Sequence, residues 1–157
     1  MELEKRIKLD LKSAMFAKKE LEVSVLRQLL AAVLNKEKEK RFKSKEEKEA
    51  YLTDQEFMEV ILSEAKKRRE AIDLFTKGGR ADLAEKEKRE LEILGKYMPE
   101  QMTAEEIKKL VMEAISKVGA KEMKDMGKVM AELMPKVKGK ADGNLVGSIV
   151  KESLGIS

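Results

Sequence analysis

Four lysines near the end of the sequence, Lys128, Lys136, Lys138 and Lys140, have a type and spacing that suit one chemistry, the gripping of phosphate. The last three alternate through a segment containing Gly139 and have few acids nearby. Asp142 follows and can cap a helix, and helix starts favour anions. A second basic group is Lys66-Lys67-Arg68-Arg69, with Arg80 further on. Four consecutive helical positions point around the whole helix, so these cannot all face one partner. Arg68 falls on the apolar side, where its stem packs and its head pairs. Lys66, Lys67, Arg69 and Arg80 are therefore secondary candidates for contact with nucleic acid.

Other chemistries are excluded or unsupported. The 30 carboxylates form close pairs such as Glu46–Glu47 and Glu105–Glu106. Acid–base catalysis needs a carboxyl shifted by burial in a cleft. Here the acids interleave with lysine on helical faces, as in Glu64–Arg68, Lys66–Glu70 and Arg69–Asp73. The sequence has no histidine and no cysteine. Zinc sites, Ser-His-Asp triads and Cys-His pairs are thereby excluded, as is a Glu-x-x-His metal motif. No glycine-rich phosphate loop is present. No catalytic residue, cofactor or metal is expected. The six aromatics fall mostly on apolar faces, which argues against a platform for stacking bases. Met123, Met126, Met130 and Met134 recur at helical spacing, as core residues or as a flexible partner groove.

The elements that must position these residues are helices. The chain has 157 residues, 41% of them charged, and a net charge of +4. That balance permits nucleic acid without requiring it. Lys and Glu dominate the charges, as in heat-adapted proteins and in exposed helices generally. The absence of disulfides and of an apolar leader sets the expectation of a cytoplasmic protein. The longest apolar run, residues 29–34, is too short to span a bilayer.

Helical periodicity begins with Leu3, Ile7, Leu11, Ala14 and Met15, and resumes with Leu26, Leu29, Leu30, Val33 and Leu34. The break between them is placed near residues 19–22. Residues 37–49 read as a solvated helix end and a loop. Thr53-Asp54-Gln55-Glu56 is a capping box. It opens a face of Phe57, Val60, Ile61, Ala65, Arg68, Ile72 and Phe75, which Gly78-Gly79 stops. Asp82 can begin a fourth helix, with Leu83, Leu91, Leu94 and Met98 inward, and Pro99 ends it. Charge density falls at that point, so a boundary separates residues 1–98 from 99–157. A second capping box, Thr103 to Glu106, opens a helix that runs to Gly119. A short helix over 125–134 stops at Pro135, and 136–140 is a basic loop. Asp142 caps the last helix, with Leu145, Val146, Ile149, Val150 and Leu154 inward. The result is an all-α chain of four helices followed by three.

Several of these segments resemble the YqeY family. They are Lys66-Lys67-Arg68-Arg69-Glu70-Ala71-Ile72-Asp73-Leu74-Phe75, then Gly79-Arg80-Ala81-Asp82-Leu83-Ala84, and Glu90-Leu91 to Tyr97-Met98-Pro99. Asp125-Met126-Gly127-Lys128-Val129-Met130 and Lys138-Gly139-Lys140-Ala141-Asp142-Gly143 continue the likeness across essentially the full chain. The second part also resembles the tail domain of the aspartyl/glutamyl-tRNA amidotransferase B subunit. The resemblance implies an all-α fold of a four-helix N-terminal and a three-helix C-terminal subdomain. It implies a link to tRNA and to transamidation, as a tRNA-binding accessory module. An adaptor docking on a tRNA synthetase or amidotransferase is the alternative. The family label of a carbon–nitrogen ligase using glutamine as amide donor finds no catalytic residues here, and fold likeness supplies none.

Overall fold

The computed structural model describes residues 1–44 and 50–155. Seven helices and no strand occur among them. They are α1 (Glu2–Phe16), α2 (Glu20–Ser44), α3 (Asp54–Lys77), α4 (Ala81–Gly95), α5 (Ala104–Val118), α6 (Met126–Val137) and α7 (Gly143–Gly155). A short 3-10 turn, Met123–Asp125, precedes α6. The fold is all-α, and the chain forms two compact units, Met1–Met98 and Pro99–Ser157.

The first unit is closed by the inward stripes of α1 to α4. Ile7, Val25, Leu26, Leu29, Phe57, Ile61, Ala65 and Leu94 are almost fully buried together. Thr53 caps α3, with its hydroxyl accepting from the Glu56 amide and the Glu56 carboxylate accepting from the Thr53 amide. This satisfies two of the free donors at the helix start. At the far end, Gly79 is left-handed at φ 73°. The Arg80 amide donates to the Phe75 carbonyl and the Gly79 amide to that of Thr76, the paired closure of a Schellman turn.

The same turn separates α1 from α2, but with lysine in the glycine place. Lys18 is left-handed at φ 55°. The Lys19 amide donates to Ala14 and the Lys18 amide to Met15. The break is therefore at residues 17–19, and α2 already starts at Glu20 instead of after 22. α2 runs to Ser44 and includes the expected solvated helix end, while residues 45–49 of the expected loop stretch lie outside the described residues. Met15 and Leu34, expected inward, are each half exposed. α4 starts at Ala81, with Asp82 in its first turn and no side-chain cap. It ends at Gly95, before Pro99, and tight turns through Tyr97 and Met98 complete it.

The second unit has an aliphatic core of Ile107, Val111, Ala114, Val129, Leu133, Val137, Val146, Val150 and Leu154. The Thr103 capping box and the left-handed Gly119 bound α5 as expected. Pro135 does not stop α6, which continues to Val137. Proline forfeits one amide bond. The burial of Val137 beside Leu133 holds the last turn, and the Lys138 amide still donates to Met134. Leu145, expected inward, is 41% exposed.

Candidate nucleic-acid interface

The basic segment is a turn held from two sides. Gly139 is left-handed at φ 79°. The amides of Lys140 and Ala141 both donate to the Val137 carbonyl, at 2.9 and 3.0 Å. From the segment before α5, the Met102 amide donates to the Lys140 carbonyl at 2.7 Å. The Gln101 side chain donates to the Gly139 carbonyl at 3.0 Å and to the Pro99 carbonyl at 2.7 Å. The backbone that carries Lys138 and Lys140 is thus fixed by four of these hydrogen bonds, while both side chains are exposed.

The four lysines are not equivalent. Lys136 belongs to α6 rather than to a loop, and lies 3.7 Å from the Glu132 carboxylate. Lys117 reaches the same carboxylate at 2.7 Å. That bond, with the charges of both lysines, holds the Glu132 carboxyl below its ordinary range. Lys128 lies in the field of Asp125. The Asp125 carboxyl is held low chiefly by the amides of Lys121 and Glu122. Lys138 and Lys140 are the two of the set with no acidic partner among the described residues. Asp142 accepts from the Asn144 amide at the start of α7. A carboxylate already occupies that helix start, so any hold on phosphate falls to the lysine side chains.

The secondary candidates lie in the first unit. Arg80 pairs with Asp82 at 3.3 Å, and Lys67 with Glu64 at 3.2 Å. Lys66 is exposed and Arg69 half-buried. Of the three spaced pairs read from the sequence, only Glu64–Arg68 is an ion pair among the described residues. Arg68 is buried, and its Nη1 donates to Glu64 Oε2 at 2.6 Å while Nη2 donates to Gln28 Oε1 at 2.7 Å. Nε lies 3.9 Å from Glu90 Oε2 and donates to no group. One guanidinium therefore serves two buried carboxylates. Burial pushes the neighbouring Glu87 carboxyl above its ordinary range, and the charge of Glu90 pushes it further. Glu87 and Glu90 escaped sequence reasoning because they sit among exposed acids of the same helix, and only packing separates them.

A raised carboxyl favours the protonated, folded form. Its stabilising contribution is present below the unfolded value of about 4.3 and is lost as pH rises through the folded value. Glu87→Gln is therefore expected to raise the melting temperature at pH 7 and to leave it unchanged at pH 4. Thermal melts at the two pH values check this, and equal shifts at both would refute it.

Three of the six aromatics, Phe16, Phe42 and Tyr51, are exposed, against the expectation of mostly inward rings. Phe16 follows Ala14 by two positions, about 200° around the helix, and so points away from the core. No described helix is long and apolar enough to cross a membrane.

Fold and site together define an all-α protein of two units, the second carrying a braced, doubly cationic turn. The sequence pattern of the family described as Yqey-like protein matches residues 4–154, and the chain belongs to the YqeY family. Similar relatives are fungal proteins named "Altered inheritance of mitochondria protein 41, mitochondrial". The Saccharomyces cerevisiae protein is 32% identical over 81% of this chain and 68% of its own length. That of Pyrenophora tritici-repentis is 30% identical over 96% and 80%. That of Eremothecium gossypii is 37% identical over 59% of this chain, and the match spans 46% of that protein. These mitochondrial names overturn the expectation of a cytoplasmic protein. Lack of cysteine speaks of redox conditions and is no address.

Proposed function

We propose that this chain is an accessory module of tRNA aminoacylation or transamidation that binds tRNA phosphates through Lys138 and Lys140. The observation that carries the reading is the braced turn, whose two lysines lack acidic partners among the described residues. Lys128 and Lys136 add positive potential at closer range to acids, and Arg80, Lys66, Lys67 and Arg69 are subsidiary. Such contacts grip the backbone and recognise RNA shape instead of reading sequence.

The test is binding of purified protein to total tRNA across a salt series, with duplex DNA of equal length as control. The Lys138→Glu/Lys140→Glu variant is expected to lower affinity and to flatten the slope of log K against log salt by about 1.5, at 0.7–0.9 per phosphate contact. An unchanged slope would show that these lysines are not the contact.

A second reading is a protein adaptor docking on a tRNA synthetase or amidotransferase. It draws on Met112, Met123, Met134 and Leu145, all well exposed in the same unit. Capture of such an enzyme that survives RNase treatment would favour it over direct RNA binding. A glutamine-dependent ligase draws no support from the arrangement, and purified protein is expected to release no ammonia from glutamine.

A further inference from the structure

The corner between α1 and α2 carries an unusual set of groups. α1 turns Ile7, Leu11 and Ala14 inward, and Leu9, Lys12 and Phe16 outward at positions three and four apart. The Phe16 ring lies at the end of the helix with 83% of its surface open. Lys12 is one turn before it. Lys18 follows in the strained left-handed conformation, at φ 55°. Arg27 packs against the Met15 sulfur at 4.0 Å. Beyond Met15 runs an open groove with Val23, Ser24 and Gln28 on its walls. Lys12, Lys18 and Arg27 have no acidic partner among the described residues, while Glu20 is the one acid lining the groove.

We infer that this corner is a stacking site for an unpaired nucleotide, with Phe16 taking the base and Lys12 and Lys18 the flanking phosphates. An open ring offers a face and no socket. A protein anchor needs a desolvated pocket, whereas a base needs only a plane and nearby cations. A second copy of the chain would set three cations against three. A bilayer would need a wider apolar face than Leu9 and Phe16 supply. In the groove beyond Met15, Gln28 Nε2 donates to Ser24 Oγ at 3.4 Å while its carbonyl accepts from Arg68. The inference rests on the reading of the chain as an RNA-binding protein. It adds a contact of a different kind, in the other unit.

The probe is a labelled single-stranded hexauridylate, followed by fluorescence anisotropy with the full chain, against an RNA duplex of equal length. Preference for the single strand is expected. Phe16→Ala should weaken hexauridylate binding about 5- to 150-fold, the range measured for removing one stacking partner. Phe16→Trp should restore it. Far-UV melts should not move, because the ring is exposed. Hexauridylate binding unaltered by Phe16→Ala overturns the inference. If Lys138→Glu/Lys140→Glu still weakens tRNA in that case, the module reading stands without this site. If Phe16→Ala weakens hexauridylate while the double lysine variant leaves tRNA untouched, the stacking site stands and the turn assignment falls. Loss of an oligoglutamate peptide upon Phe16→Ala, with hexauridylate unaltered, would also overturn the inference and make the corner a protein contact.

Discussion

Arg68→Met is expected to destabilise the first unit by about 3–5 kcal/mol, the usual cost of breaking a buried ion pair from one side. The Arg68 side chain is 7% exposed, and those of Glu64 and Glu90 are 11% and 9%. Removing the guanidinium leaves the buried Glu90 with no cation and the buried Glu64 with only the exposed Lys67 ammonium, at 3.2 Å. They must then take up protons or draw water into the core, and both responses cost stability at neutral pH. Gln28 loses the donor to its carbonyl as well. Urea unfolding at pH 7 measures the effect, and a loss under about 1 kcal/mol would mean that the carboxylates escape to solvent at little cost. The triple variant Glu64→Gln/Arg68→Met/Glu90→Gln isolates the cause, because a neutral cluster is expected to recover much of the loss. Persistent instability in the triple variant would point to packing of the arginine stem.

Leu133→Ala is the counterpart in the second unit, with an expected cost of about 2–5 kcal/mol. Leu133 is fully buried in a core of nine buried residues among those described. A unit of about 60 residues buries only about 60% of its unfolded surface, so its reserve of stability is small. The substitution should bring the second unit close to its unfolding midpoint at room temperature. Calorimetry is expected to resolve an early transition absent from the parent protein, and tRNA affinity should fall with it. The braced turn hangs from Val137, one helical turn after Leu133, so it cannot survive loss of this core. The double lysine variant should lose affinity with no such transition. Equal melts for Leu133→Ala and parent would show that the cavity collapses or fills.

The architecture could be read where backbone chemistry is local. Thr53 and Thr103 announce helix starts because a hydroxyl and a glutamate three residues on satisfy amides that nothing else reaches. Gly79 and Gly119 announce stops because glycine adopts the left-handed conformation without penalty. Where the same geometry is built from Lys18, the signal vanishes, and the first break was placed too late. Pro135 misled in the opposite direction, since the burial of Val137 outweighs one missing hydrogen bond. Gly139 among the alternating lysines announced a turn, and Gly139 takes the left-handed conformation there. Placing residue 136 in a loop hid its pairing with Glu132, four residues earlier on the same helix face, and so hid what separates Lys136 from the unpaired Lys138 and Lys140. The buried role of Arg68 was legible from its helical phase. Its second carboxylate, Glu90, was not, since it comes from another helix.

The aliphatic make-up of the second core has a practical corollary for optical work. Every phenylalanine and tyrosine of the chain lies between residues 16 and 97, and tryptophan is absent. Residues 99–157 therefore contribute nothing to tyrosine emission or to the aromatic circular dichroism band. Tyr97 is buried, and its hydroxyl donates to Asp10 at 2.6 Å under the Arg6 guanidinium. It is a natural reporter of the first unit. A melt followed by tyrosine light would score as intact a molecule whose second unit had already come apart.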